Sequence, residues 1–205
     1  MNNNWNQKIY KVWSPIYDLF FNSGNFKRAR QSLFKGLSLN KGEKILFVGV
    51  GTGLELELVK NAEVNVTAID LSPDMLNKAR KKYERYNINF IEMDAQNLKF
   101  DDNEYDLVVG SLVLSVVPDA HRCFEEMIRV LKPNGKIVIF DKFAPKNGRI
   151  PLVKRILRPL ISALGTDIGL SFEKLVPPHL RHLKIINDEP AMLNGMYRKI
   201  VIIKE

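Results

Sequence analysis

The chain has 205 residues, of which 45% are hydrophobic, and this size and composition fit one globular domain with a sizeable core. Its longest near-apolar run, residues 107–117, is too short to span a bilayer, one cysteine excludes an internal disulfide, and the first residues lack a signal-peptide layout, so we expect a cytoplasmic protein. The net charge of +8 divides into +5 over residues 1–43, −3 over 44–143 and +6 over 144–205, and basic flanks of this kind indicate an anionic partner or serve solubility.

The first 40 residues are predicted to form an N-terminal helical segment that precedes a domain of residues 41–205. Apolar residues recur at helical spacing over residues 5–21, and Pro15 predicts a break near Ser14. A second helical pattern covers residues 25–37, with a predicted polar side made of Lys27, Arg28, Arg30 and Lys35.

Strands and helices then alternate. Strands are predicted at residues 44–49, 64–70, 88–92, 105–111, 136–141, 183–187 and 198–203, and helices at 53–60, 73–85 and 118–131. Ser72 and Pro73 form a helix start, and Cys123 is expected to be a buried thiol on the third helix. The pattern predicts an α/β fold with a doubly wound, Rossmann-like, mostly parallel seven-stranded sheet and antiparallel pairing at one edge, preceded by the N-terminal helices.

A glycine-rich turn follows the first predicted strand. Gly49, Gly51 and Gly53 give the spacing G-x-G-x-G, and Leu54 stands where a dinucleotide-binding loop needs its third glycine. The turn also lacks the Gly-Lys-Ser/Thr ending of a phosphate-binding P-loop. Such a turn suits close approach of a ligand to the backbone, and a plain tight turn is the alternative.

Two carboxylates end the next two predicted strands. Asp70 follows an apolar strand, where a carboxylate can accept both hydroxyls of a ribose. Asp94 follows the third strand, where it can accept an adenine amino group, although a turn role is also open. Met75 lies on the following helix and either packs on an adenine ring or belongs to the core.

These motifs together resemble the seven-strand S-adenosylmethionine-dependent methyltransferases. The resemblance rests on five motifs in order, at residues 48–53, 68–76, 93–95, 105–109 and 131–135, and Asn134 replaces a glycine found in many members. It implies S-adenosylmethionine as the cofactor, S-adenosylhomocysteine as its product, and no metal. The implied cofactor-binding residues are Tyr17, Gly49, Val50, Gly51, Thr52, Gly53, Asp70, Leu71, Met75, Asp94, Ala95 and Ser111.

The end of the fourth strand and the two flanks limit which molecules could accept the methyl group. Strand four ends in Gly110-Ser111-Leu112 and lacks the Asn-Pro-Pro-Tyr signature of enzymes that methylate base or glutamine amides, so a nucleic-acid substrate is not expected. Residues 10–18, 164–168 and 190–197 resemble bacterial phospholipid N-methyltransferases and, more loosely, quinone C-methyltransferases. In those families the N-terminal segment closes over the cofactor, although an ordinary apolar helix face also explains its aromatic residues.

The sequence therefore predicts a methyltransferase acting on the amine of a phospholipid head group. Tyr10, Tyr17 and His121 are candidate catalytic residues for removing the amine proton. The alternatives are C-methylation of a quinone precursor and a non-catalytic protein that binds S-adenosylmethionine or RNA.

Membrane access is predicted to come from a basic amphipathic stretch at residues 149–164, within an insertion at 149–182. Lys154, Arg155 and Arg158 would contact an anionic surface, which predicts peripheral association with the inner face of the cytoplasmic membrane. The alternative is a helix packed on the sheet with solvated basic side chains.

Overall fold

The fold is taken from a computed structural model that describes residues 24–144, 169–176 and 183–205. The predicted helix at 5–21 and the amphipathic stretch at 149–164 lie outside these ranges. The described helices are α1 (Gly24–Gln31), α2 (Pro73–Lys82), α3 (Ala120–Val130) and α4 (Phe172–Leu175), with a 3₁₀ helix at Glu55–Leu58. The described strands are β1 (Lys44–Val48), β2 (Asn65–Asp70), β3 (Ile88–Glu92), β4 (Tyr105–Ser111), β5 (Leu131–Lys142), β6 (Leu183–Met192) and β7 (Tyr197–Lys204).

The strands form one seven-stranded sheet in the order β3-β2-β1-β4-β5-β7-β6. Strands β1 to β5 pair in parallel, and β7 runs antiparallel to both β5 and β6. The predicted fold class is therefore confirmed, including the antiparallel pair at one edge. Because the chain leaves β1 in one direction and returns at β4, the crevice at the carboxyl ends of β1 and β4 is the topological switch point, where such sheets bind ligands.

Each central strand is buried on both faces. In β1, Leu46 and Val48 pack on one side of the sheet with Phe124, while Ile45 and Phe47 pack on the other. A strand covered on both sides needs a continuous apolar run, and Lys44–Val48 provides it. The core consequently holds the carboxyl ends of β1 and β4 in a fixed relation.

The segment after the glycine turn differs from the predicted helix at residues 53–60. One 3₁₀ turn forms, at Glu55–Leu58. The reason lies in the sequence, since Leu54, Leu56 and Leu58 alternate every second residue and do not share a helical face. The glycine turn is therefore followed by one short 3₁₀ turn rather than by the predicted helix.

Three other boundaries were wrong by five or six residues: the helix predicted at 25–37 ends at Gln31, the strand predicted at 136–141 begins at Leu131, and the strand predicted at 183–187 extends to Met192. The remaining boundaries agree within three residues, with one error in side-chain placement. Helix α2 is capped by Ser72, whose hydroxyl accepts from Met75 N at 3.4 Å, and it ends at Lys82 rather than 85. Asp119 caps α3, and Cys123 is fully buried there as predicted. Arg30, however, was placed on the polar side of its helix and is in fact buried, with 4% of its surface exposed.

Candidate active site

The three glycines of the turn have φ angles of 67° at Gly49, 56° at Gly51 and 78° at Gly53, all in the left-handed region. A Cβ at Gly49 would lie 2.7 Å from Cγ2 of Val113, in the loop after β4. At Gly51, in contrast, no atom of the described residues lies within 4 Å of the Cβ position. Gly49 thus serves close packing of the two loops, while Gly51 exposes backbone toward open space at the switch point.

Asp70 fastens this turn to the end of β2. Its Oδ2 accepts the Gly51 N–H at 2.8 Å, and its Oδ1 accepts the Ser72 N–H at 2.8 Å. Burial raises the pKa of the Asp70 carboxyl, while these N–H groups and that of Leu71 oppose the rise. A carboxylate has about four acceptor positions, so Asp70 retains capacity for a ribose hydroxyl beside its backbone partners.

Asp94 lies after β3 and is held by a residue that sequence reasoning missed. Gln96 donates its backbone N–H to Asp94 Oδ1 at 2.9 Å and its side-chain Nε2 to the same oxygen at 2.9 Å. The side-chain oxygen of Gln96 accepts the Asp119 N–H at 2.8 Å, which ties Asp94 to the start of α3. Ala95 is buried beside this turn.

The end of β4 meets a buried carboxylate that sequence reasoning also missed. Ser111 donates its hydroxyl to Glu55 Oε1 at 2.7 Å, and Arg30 Nε lies 3.7 Å from the same oxygen. Burial raises the pKa of Glu55, and Arg30, Ser111 and the more distant Lys82 act against that rise. A chain of polar contacts therefore runs from α1 through the 3₁₀ helix to the end of β4.

Backbone strain marks the residue that follows Ser111. Leu112 has a φ angle of 55°, which is unfavourable for a residue with a Cβ, and its N–H donates to Phe140 O at 2.7 Å. Strain of this kind is concentrated at ligand sites, where the surrounding fold maintains it. Here it turns the chain so that Val113 packs on the Gly49 backbone.

Buried polar residues continue along the same edge to β5 and β7. Asp141 is fully buried and accepts the Ser115 N–H at 3.1 Å and the Lys142 N–H at 2.8 Å. Tyr197 lies next to β5, with its ring 5.7 Å from that of Phe140, and burial together with the Asp141 charge raises the pKa of Tyr197 to about 12. A phenol held neutral in this way is suited to packing rather than to proton transfer at neutral pH.

Most of the predicted cofactor residues meet at this one edge. They lie at the carboxyl ends of four neighbouring strands, in the spatial order β3, β2, β1, β4. In that order, the residues are Asp94 with Ala95, Asp70 with Leu71, the glycine turn with Val50 and Thr52, and Ser111. Met75 is buried, with 2% of its surface exposed, in the first turn of α2. His121 is exposed at the second residue of α3, and Tyr10 and Tyr17 lie outside the described residues.

Within residues 24–144, 169–176 and 183–205, no group of three or more His, Cys, Asp or Glu side chains is arranged to hold a metal ion. None of the helices described for this chain combines the length and the apolar content needed to cross a bilayer.

This edge fits S-adenosylmethionine by its own chemistry. Asp70 and Asp94 keep carboxylate acceptor positions beside their backbone partners, which is what the ribose and adenine of that cofactor would require, and the space at the Cβ position of Gly51 is open among the described residues. Ser111, which is hydrogen-bonded to Glu55, lies next along this edge, at the end of β4.

Comparison with known proteins agrees with this assignment. The family described as a methyltransferase domain matches residues 46–139. A phosphatidylethanolamine N-methyltransferase of Cereibacter sphaeroides is 33% identical over 195 residues, which cover 93% of each chain. A demethylmenaquinone methyltransferase of Paenarthrobacter aurescens is 36% identical over 163 residues, which are 76% of this chain and 62% of that protein.

Solved structures share the fold at lower identity. A chain of the complex between the Haloferax volcanii Trm112 methyltransferase activator and a methyltransferase superposes with a TM-score of 0.75 at 17% identity, over 95% of this chain and 97% of that one. An S-adenosylmethionine-dependent methyltransferase of Aquifex aeolicus gives a TM-score of 0.61 at 17% identity, over 86% and 89% of the two chains. The sheet order, the glycine turn with its carboxylates and the extent of the match to the Cereibacter enzyme lead to one conclusion: this chain belongs to the seven-strand S-adenosylmethionine-dependent methyltransferases.

Proposed function

We propose that this protein transfers a methyl group from S-adenosylmethionine to the amine of a phospholipid head group of the phosphatidylethanolamine type. The observation that carries the proposal is the similarity to the Cereibacter phosphatidylethanolamine N-methyltransferase, which extends over 93% of both chains and includes both flanks. Similarity restricted to the cofactor domain would say little about the acceptor, because that domain is shared by many methyltransferases.

The charge distribution supports a zwitterionic acceptor. The flanks are basic and suit a phosphate, whereas residues 44–143 carry net −3 and suit an ammonium group.

For this reaction the protein must mainly position the acceptor relative to the methyl group. S-adenosylmethionine supplies a methyl group that is already activated by its sulfonium, so holding the acceptor in line is the chief requirement. An amine with a pKa of ~10.4 must also lose a proton, which costs about 4–5 kcal/mol at pH 7. The predicted candidates for accepting that proton remain Tyr10, Tyr17 and His121. His121 is exposed at the edge where α3 begins.

C-methylation of a quinone precursor is the second candidate. It is favoured by the 36% identity to a demethylmenaquinone methyltransferase over 163 residues. Methylation of a ring carbon needs no site for an amine. An apolar acceptor would contact Leu112 and Val113, the two apolar residues that follow Ser111.

A transfer assay with tritiated S-adenosylmethionine separates the candidates. Purified protein is incubated with vesicles containing phosphatidylethanolamine, with demethylmenaquinone in detergent, or with RNA. We expect label in the lipid, migrating as the monomethylated head group or a more methylated one, and no label with an Asp70→Asn variant. Label in the quinone would replace the proposal with the second candidate, and tight cofactor binding without label in any acceptor would indicate a non-catalytic role.

Peripheral membrane binding belongs to the same proposal. The basic amphipathic stretch at residues 149–164 combines Lys154, Arg155 and Arg158 with leucine and isoleucine, a composition that suits an anionic lipid surface. Each basic residue at such a surface contributes about 1 kcal/mol, so the apolar residues must contribute as well.

A further inference from the structure

We propose that the carboxylate of Glu55 binds the positive charge of the methyl donor and makes the site prefer S-adenosylmethionine to S-adenosylhomocysteine. The inference goes beyond the proposed function because it concerns the donor alone and holds for any acceptor. It rests on where Glu55 lies, on what surrounds it, and on the single charge by which donor and product differ.

The location follows from the order of ligand-binding residues along the sheet edge. Asp94 follows β3, Asp70 ends β2 and the glycine turn follows β1, so a donor bound by these residues extends toward β4. Glu55 reaches that end, because its Oε1 accepts the Ser111 hydroxyl at 2.7 Å. Its carboxylate therefore lies at the end of the site where the reacting sulfur is expected.

The surroundings make Glu55 a fixed charge rather than a mobile surface carboxylate. Glu55 has 8% of its surface exposed, and Ser111 on β4 and Arg30 on α1 hold the same oxygen from two sides. A charge removed from water interacts more strongly with a neighbouring charge than one on the surface. The carboxylate is also oriented before any ligand arrives, so little reorganisation is needed on binding.

The comparison of donor and product isolates the effect of charge. Both molecules carry the same adenosine, ammonium and carboxylate groups, and they differ by one methyl group and one positive charge on sulfur. An interaction with the ammonium group would therefore affect both ligands equally. A carboxylate that interacts with the sulfonium stabilises the donor complex selectively, and it also favours release of the product after transfer.

The charge of Glu55 depends on the groups that face it from each packed element. Burial raises the pKa of its carboxyl, whereas Arg30 from α1, the Ser111 hydroxyl from β4 and the more distant Lys82 at the end of α2 oppose the rise. The carboxylate is ionised above its folded pKa and neutral below it. The preference for the donor should accordingly decline as the pH falls through that pKa.

Calorimetric titration of both ligands into Glu55→Gln tests the proposal. We expect the dissociation constant for S-adenosylmethionine to rise at least about tenfold, equivalent to about 1.4 kcal/mol, while that for S-adenosylhomocysteine changes less than about threefold. The matched control is Glu57→Gln, since Glu57 is exposed two residues away and pairs with Lys60 at 2.6 Å, and we expect it to change neither constant. Equal weakening of both ligands, or of neither, would overturn the proposal.

A second variant covers the possibility that Glu55→Gln does not fold. Arg30→Gln keeps the carboxylate but removes the cation that favours its ionised form. Between pH 5 and 8, we expect the preference for the donor to be lost at a higher pH in Arg30→Gln than in the wild-type protein. An unchanged pH dependence of the ratio of the two dissociation constants would contradict the role of Glu55.

Discussion

The carboxylate of Asp70 accepts the backbone N–H of Gly51 at 2.8 Å, across 19 positions of sequence. This hydrogen bond joins the end of β2 to the glycine turn, so one side chain both shapes the turn and offers acceptors to a ribose. Loss of the carboxylate should consequently affect the turn and the ligand together.

We therefore expect Asp70→Ala to weaken S-adenosylmethionine binding by at least about a hundredfold, or about 2.7 kcal/mol, in calorimetric titration. Asp74→Asn is the matched control, because Asp74 is exposed in the first turn of the adjacent α2. Affinity close to that of the wild-type protein in Asp70→Ala would show that the ribose is bound elsewhere.

The two glycines Gly49 and Gly51 should respond differently to alanine. Both have φ angles in the left-handed region, which costs an alanine about 1–2 kcal/mol. Gly49→Ala adds a contact of 2.7 Å with Val113, so its total loss of unfolding free energy should reach about 2–4 kcal/mol. Gly51→Ala should lose less stability but should bind the cofactor poorly, because its methyl group enters the open space beside the turn.

Urea unfolding and calorimetric titration of both alanine variants measure these two effects separately. If Gly51→Ala were the less stable variant and still bound S-adenosylmethionine normally, the roles assigned to the two glycines would be reversed.

Much of this site could be predicted because its residues are recognisable from the sequence immediately around them. Asp70 follows an apolar strand, Gly49, Gly51 and Gly53 follow another, and parallel strands bring such strand ends to one edge. Asn134, which replaces a glycine found in many members of the family, adopts a φ angle of 63°, which asparagine tolerates better than most residues.

The buried polar residues could not be predicted, since burial depends on partners distant in sequence. Arg30 has the spacing of a solvated helix face, and it is buried because Glu55, 25 positions later, meets it. Glu55 was interpreted as part of a helix start, and its contact with Ser111 spans 56 positions. The alternation of Leu54, Leu56 and Leu58 is a local signal against a long helix, but it does not distinguish the buried Glu55 from the exposed Glu57.

Lys199 provides a third prediction because it connects the turn that follows α1 to the sheet. Its side chain is 4% exposed, and its Nζ donates to Ser32 O at 2.8 Å and Lys35 O at 3.2 Å and lies 3.5 Å from Glu189. Lys199→Met leaves these carbonyl acceptors without the ammonium, which should cost about 2–4 kcal/mol of unfolding free energy.

Hydrogen exchange should show faster exchange in α1 of Lys199→Met than in β1. The control is Lys184→Met, whose exposed ion pair with Glu205 at 3.4 Å should contribute less than about 1 kcal/mol. Equal stability of the two methionine variants would mean that Lys199 does not hold the helix.

Asp141 predicts the sign of a pH effect on stability. Burial raises its folded pKa above the usual value, with Ser115 and Lys142 opposing the rise, so the folded state holds a proton that the unfolded state has already released. Its contribution to stability is therefore present at low pH and is lost as the pH rises through the folded pKa. The destabilisation caused by Asp141→Asn should shrink between pH 4 and pH 8 in urea unfolding.

Asp106 serves as the control because its contribution to the free energy of unfolding should change with pH in the opposite direction. Burial alone would raise its pKa, but the Lys132 ammonium at 2.7 Å and the Lys44 N–H at 2.9 Å hold it below the usual value. Its contribution is present above the unfolded pKa and is lost on acidification, so the destabilisation by Asp106→Asn should shrink toward low pH. The same pH trend in both asparagine variants would contradict the assigned shifts.

Membrane binding provides the last prediction, through the basic residues of the amphipathic stretch at 149–164. Arg155→Glu combined with Arg158→Glu changes the charge by four units, and we expect it to reduce sedimentation with anionic liposomes, most strongly at low salt. Lys81→Glu with Arg85→Glu makes the same change in total charge at exposed positions around the end of α2, and it should bind liposomes better than the first variant. Equal sedimentation of the two variants would show that net charge, rather than this stretch, governs binding. Cofactor affinity should remain unchanged in Lys81→Glu with Arg85→Glu, because α2 begins beside Asp70 and these two positions lie around its opposite end.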